Sequence, residues 1–292
     1  MKSVCMVFAA ALAVALMSSL VQAQQPVRVG SKNFTEQFIL GELYAQALEA
    51  NGIKTEKKFN LGGTLIAHKA LEEKQIDLYP EYTGTILLAV LKQETMTDAK
   101  AVYDKVKGEY AAKGLVVLNQ APVNNTYVLV VRPETAEKYK LETDSDLAKV
   151  SKELKLGAGP EFRDRKDGLP GLRDKYSMEF KEDLQLAIGL RYQALKNDQI
   201  QVVNGYSTDG MISAMKLKRL KDDRNLWPPY YIVPVVRKDA LDANPRIAEV
   251  LNRVNASLDD ATMAEMNYKV DGEKMEPKDV AHDFLKAKGI VK

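Results

Sequence analysis

Four tyrosines stand where strands give way to loops: Tyr82 in YPEYTGT, Tyr127 in NNTYVLVV, Tyr206 in GYSTDG and Tyr230 in WPPYY. The chain carries 13 tyrosines against seven phenylalanines and one tryptophan, an excess suited to surfaces where an apolar ring sits beside water. Taken singly, each ring reads equally well as packed core or as part of a stiff turn, Tyr82 above all with Pro80 nearby. Taken together at one crevice, their electron-rich faces would cage a cation that has no hydrogen bonds to give, such as a quaternary ammonium. An amino acid or polyamine would instead need an inward carboxylate, for which Glu36, Glu81 and Asp209 stand at suitable loops.

Other chemistries leave little trace. His68 and His282 each lack a histidine or cysteine at ligand spacing, so no metal site is expected. Gly157-Ala158-Gly159-Pro160 opens like a dinucleotide loop, but the third glycine is missing and proline follows. Gly205-Tyr206-Ser207-Thr208-Asp209 departs from the nucleophile turn G-x-S-x-G because aspartate takes the last place. Glu81 would serve an enzyme as acid or base, yet no second carboxylate is marked as its partner. The reading is of a binding protein with no catalytic residue, metal or cofactor.

The N-terminus bounds the compartment. Lys2, the apolar run Val7–Leu16 and the small-residue pattern Val21-Gln22-Ala23 form a signal peptide, residues 1–23, cleaved after Ala23. A run of about 10 apolar residues is half of what crosses a bilayer. The one cysteine, Cys5, falls in the removed part, which leaves the mature chain without disulfide, thiolate ligand or thiol nucleophile. An exported, periplasmic protein is expected. Its 42 basic and 40 acidic side chains are nearly balanced, which speaks against a nucleic-acid partner.

Bringing four loop tyrosines to one crevice requires strands that end together. Val27–Gly30 reads as a strand, followed by a helix with Phe38, Ile39, Leu43, Ala47 and Leu48 on one face and Asn51-Gly52 as its stop. A helix over 64–74, strand Ile76–Tyr79, a helix from Thr97 and strands Leu115–Leu118 and Tyr127–Val131 follow. The construction then recurs: helix 145–152, strand 154–156, helices 169–176 and 185–196, strand 200–203, helix 210–220 and strand Ile232–Val236. A helical part opened by Asn244-Pro245 ends the chain. Alternating strands and helices predict an α/β fold of parallel sheets covered on both faces, with ligands beyond the carboxyl ends of the strands. The order predicts a discontinuous first lobe, 24–125 with 232–292, and a second lobe, 126–231, with the ligand in the cleft between them.

Six blocks in order, VRVGSKNFTEQFILGEL, IDLYPEYTGT, NNTYVLVV, EFRDRKDGLPGL, VVNGYSTDG and WPPYYIVPVVR, resemble those of the substrate-binding proteins of osmoprotectant ABC importers. The resemblance covers 26–292. It implies a two-lobed periplasmic-binding-protein fold of type II, each lobe a mostly parallel sheet flanked by helices. It also implies a ligand such as glycine betaine, choline or carnitine, glycine betaine foremost, and a cognate permease and ATPase in the inner membrane. The expected protein is a monomer. By resemblance, Tyr82, Tyr127, Tyr206 and Tyr230 enclose the trimethylammonium group, with Tyr231 an alternative to its neighbour. Lys32, Thr85 and Arg165 read the carboxylate, with Arg163 an alternative to Arg165.

Overall fold

A computed structural model describes residues 25–292 apart from Ile188. The signal peptide, its cleavage site and Cys5 lie outside the described residues. Two five-stranded sheets organise the rest. The first holds β1 (Val27–Gly30), β2 (Thr55–Lys58), β3 (Leu78–Tyr82) and β4 (Leu115–Val117). The second is built from β5 (Tyr127–Val131), β6 (Lys155–Ala158), β7 (Glu182–Gln185), β8 (Val202–Tyr206) and β9 (Lys218–Arg219). The chain then returns to the first sheet through β10 (Ile232–Arg237).

The strand orders are β2-β1-β3-β10-β4 and β7-β6-β8-β5-β9. These are one topology used twice, since β5 holds in the second sheet the place that β10 holds in the first. Each is the strand on which the chain arrives from the other sheet, and each runs antiparallel to both its neighbours. The sheets are therefore mixed, with a single strand against the rest. The two crossings pair with each other: Asn125 N donates to Tyr230 O at 3.1 Å, Ile232 N to Val123 O at 3.2 Å, and Tyr230 N to the Asn124 side chain at 2.7 Å.

Alternation along the strands sets which faces are covered. In β5, Tyr127, Leu129 and Val131 join one hydrophobic cluster while Val130 joins another. On the first sheet, α1 (Thr35–Ala50) fills one face, and α2 (Thr64–Glu72) with α3 (Ala99–Ala111) covers the other. The second sheet is flanked by α4 (Pro160–Asp164) and α5 (Arg191–Lys196). Helices α6 (Arg246–Ala256), α7 (Asp260–Asp271) and α8 (Pro277–Ala287) pack on α1. That is why α1 is buried nearly all round, with Ile39, Leu40, Leu43, Tyr44, Ala45, Ala47 and Leu48 fully covered.

Three local expectations change. The stretch expected as helix 185–196 starts with the end of β7, and only Arg191–Lys196 is helical. EDLQ is an edge strand with half-exposed, mostly polar side chains, so it lacks the apolar alternation that marks a covered strand. The expected helix 210–220 stops at Ala214, followed by Lys216 at φ +52 and β9. YPEY is strand throughout. Pro80 faces Pro234 across β3 and β10, at a non-hydrogen-bonded place in the ladder where neither residue is asked to donate to the other, so the missing N–H of each proline costs that pair no bond.

Candidate ligand-binding cleft

The seven residues singled out from sequence line one cavity between the sheets: Lys32, Tyr82, Thr85, Tyr127, Arg165, Tyr206 and Tyr230. Phe34, Thr64, Asn125 and Glu161 join them. Strand ends explain the convergence. Tyr82 closes β3, Tyr127 opens β5, and Tyr206, at the end of β8, is paired with Tyr127 in register. Tyr230 stands just before β10, on the second crossing. Tyr230 rather than Tyr231 faces the cavity. Arg163 turns away, to Asp183 at 2.5 Å and Gln185 at 3.1 Å.

Ring centroids define the cage. Tyr127 lies 5.2 Å from Tyr206, nearly parallel, and 5.8 Å from Tyr230, edge to face. Phe34, which sequence reading passed over, is stacked between Tyr82 at 6.4 Å and Tyr206 at 5.9 Å. Tyr127 also meets Phe162 at 5.0 Å and Trp227 at 6.2 Å, so it belongs to the core as much as to the cavity. What remains open is about 30 Å³ for the centre of a water-sized sphere, room for a water or two. A solute of betaine size needs the walls to part.

Short loops press the rings into place. After Tyr82, Thr83 N donates to Tyr231 O at 2.9 Å, Thr83 Oγ1 donates to Pro229 O at 3.1 Å, and Tyr231 N donates back to Thr83 Oγ1 at 3.0 Å. A side chain at Gly84 would come within 2.7 Å of the Tyr230 ring and 2.8 Å of Pro229 O, so only glycine lets the two loops touch. At Gly63 a Cβ would come within 2.1 Å of a Glu161 carboxylate oxygen, so the Glu161 side chain would have to shift away from Thr64 N.

Charge is arranged in closed pairs. Lys32 Nζ sits 4.7 Å from the Tyr82 centroid and 5.6 Å from that of Phe34, and bonds Glu81 Oε1 at 2.5 Å. Arg165 lies 5.7 Å from Tyr127 and grips Asp167 with Nε at 2.8 Å and Nη2 at 2.5 Å. Arg191 lies 4.8 Å from Tyr206 and pairs with Asp209 at 2.7 Å. Glu161 reaches across from the second sheet and accepts from Thr64 N, the first residue of α2, at 2.5 Å, where a helix dipole favours a carboxylate. Of the carboxylates proposed for an ammonium partner, Glu81 and Asp209 are thus already paired, and none of the three lines the cavity.

Glu36 differs. It is buried, and its two oxygens accept from Tyr82 OH at 2.7 Å, Asn125 Nδ2 at 2.8 Å, Thr208 Oγ1 at 2.6 Å and Asn267 Nδ2 at 2.9 Å. Burial raises its pKa above the usual carboxylate value, and these four hydrogen bonds offset only part of that rise. Burial and the adjacent Glu36 charge hold the Tyr82 hydroxyl well above its usual range, so it stays a proton donor.

Comparison with known proteins gives the family. Residues 25–287 match the substrate-binding domain of ABC-type glycine betaine transport systems. A glycine-betaine-binding protein of Pseudomonas aeruginosa is 39% identical over 280 residues, 92% of this chain and 89% of that protein. An ergothioneine transport permease/ergothioneine-binding protein of Helicobacter pylori is 35% identical over 269 residues; the match takes in 91% of this chain but 48% of that protein, so the chain spans about half its length. A crystal structure of a glycine betaine/carnitine/choline ABC transporter component superposes with TM-score 0.76 at 33% identity, covering 90% of this chain and 99% of that one. The architecture is that of the type II periplasmic binding proteins. These relatives are substrate-binding components of transport systems, and the chain belongs to the family of substrate-binding domains of ABC-type glycine betaine transporters.

Proposed function

We propose that this protein captures a trimethylammonium carboxylate, glycine betaine foremost, and hands it to an ABC permease energised by its ATPase. It acts as a monomer in the periplasm after cleavage behind Ala23, and it turns over no substrate. The observation that carries this reading is the meeting of Tyr82, Tyr127, Tyr206 and Tyr230 at one cavity that also holds Lys32 and Arg165. Ring faces hold N(CH3)3 through its positive charge and through dispersion, which no carboxylate could do by hydrogen bonding. At the other end, the ligand carboxylate meets Thr85, Lys32 and the remaining Nη1 of Arg165, the nitrogen that faces Glu161 at 3.9 Å. Charge-assisted bonds of this kind are roughly twice as strong as neutral ones.

The lobes, 24–125 with 232–292 and 126–231, turn about the paired crossings to admit and enclose the ligand. Glu161 with Thr64, and Thr208 with Glu36, are the contacts that join the lobes on closing. Trp227, whose Nε1 donates to Asp167 O at 2.8 Å, reports that movement by its fluorescence. Calorimetry of residues 24–292 with glycine betaine, carnitine, ergothioneine, choline and arginine tests the reading. Binding of the trimethylammonium carboxylates, weaker binding of choline and none of arginine is the expected outcome. Binding of arginine in preference to all four would refute it.

A further inference from the structure

The four cage rings are alike in sequence but not in what stands behind them. Each cation beside a ring has a carboxylate of its own: Lys32 has Glu81, Arg165 has Asp167, and Arg191 has Asp209. Those pairs leave no net charge. Two carboxylates remain: Glu161, which accepts from Thr64 and has Arg165 Nη1 at 3.9 Å, and Glu36, whose four partners are neutral donors, one of the four being the hydroxyl of Tyr82. Tyr230 OH also donates to a carboxylate, Asp167, but that carboxylate is held by Arg165. Among the described residues, no carboxylate accepts from the hydroxyls of Tyr127 or Tyr206.

We infer that Glu36 is a positioning and charge-tuning residue of the cage, acting through the phenol of Tyr82 to make that ring the strongest holder of the ligand cation. The physics is that of a polarised hydrogen-bond chain. A phenol that donates to an anion gains electron density on oxygen and ring, and such polarisation is greater in a low-dielectric interior than in water. A more negative ring face attracts a cation more strongly. The amide of Asn267 also donates to Thr208 O at 2.9 Å, which fixes its Nδ2 toward Glu36. Two donors on each oxygen are the complement of an ionised carboxylate, which only accepts. The inference rests on the cage reading above, but it assigns a role to a residue that does not line the cavity.

The test compares glycine betaine with its carbon isostere 3,3-dimethylbutanoate, which has the same shape and carboxylate but no positive centre. Wild type, Glu36→Gln, Tyr82→Phe and the double variant are titrated with both. Glu36→Gln should lower the ratio of betaine to isostere affinity by ~3–10-fold, within the range of a cation–π contact. In the Tyr82→Phe background the same change should have no further effect on the ratio, because the phenol that transmits the charge is gone. Equal loss of both ligands would mean that Glu36 only holds the ring in place and would overturn the inference. So would an equal drop of the ratio in the Phe background, which would mark a direct field. If Glu36→Gln does not fold, Tyr82→Phe alone decides, since an unchanged ratio there is equally fatal. Failure of the wild type to bind betaine would overturn the cage reading itself, and the wild-type titration shows that separately.

Discussion

The two sheets share a strand order and differ in how they handle charge at the cleft. On the first, the ring of Tyr82 also has a cation near it, the Lys32 ammonium 4.7 Å from its centroid and paired with Glu81, but its hydroxyl donates to a further carboxylate, Glu36, whose partners are all neutral. On the second, Tyr127 and Tyr206 have guanidinium groups 5.7 and 4.8 Å from their centroids, each paired with an aspartate. The lesson is that a cage of four identical residues need not be four equal contacts. Its strength is set by what stands behind each ring.

Breaking the first sheet's side should have the largest effect. Glu81 is fully covered and its second oxygen has no partner, so Lys32→Ala leaves a buried charge unmatched. Removing one partner of such a pair costs on the order of 3–5 kcal/mol. A large fall in melting temperature is expected, largely recovered when Glu81→Gln is added. A variant as stable as wild type would show that the pair is not closed in solution. A closed pair also means that Lys32 meets the ligand carboxylate with an ammonium already bonded to Glu81.

Next comes the ranking of rings. Tyr82→Leu should weaken betaine by ~30-fold, the worth of a desolvated cation–π contact of ~2 kcal/mol. Tyr206→Leu should cost only ~5-fold, near the lower end of that range. Titration calorimetry on the two variants measures the difference, and equal losses would erase the comparison. Tyr127→Leu is a poorer probe, since the same ring packs on Phe162 and Trp227.

A separate test lies away from the cleft, where Asp144 is covered with neither carboxylate oxygen bonded. Burial, with Asp222 and Asp223 nearby, pushes its pKa from the usual 3.8 up to about 8. Between those values the folded chain binds more protons than the unfolded one, so stability falls as pH rises. Asp144→Asn should therefore melt a few degrees higher than wild type at about pH 8 and no higher at about pH 4. A gain that is the same at both would assign the effect to something other than this carboxyl.

Much of the cleft was legible because its residues sit at strand ends, where apolar runs stop and loops begin. Tyr127 and Tyr206 mark such ends on neighbouring strands, Tyr82 closes β3, and Tyr230 stands just before β10. Phe34 escaped because it is a single residue of extended backbone just before α1, a place with no periodic pattern to read. Glu161 escaped because its partner, Thr64, lies 97 residues away. The Glu36 network draws on residues 46, 89, 172 and 231 positions distant, and no local pattern announces a meeting of that kind. β7 was missed for a different reason: an exposed polar edge strand has no periodicity to read.

Under the proposed function the cleft holds its ligand by positive charge on a ring cage and not by shape alone. Wild-type protein titrated with glycine betaine and with 3,3-dimethylbutanoate tests it most directly. Betaine is expected to bind at least ~30-fold more tightly, as a desolvated cation–π contact requires. Equal affinities for the two would contradict it.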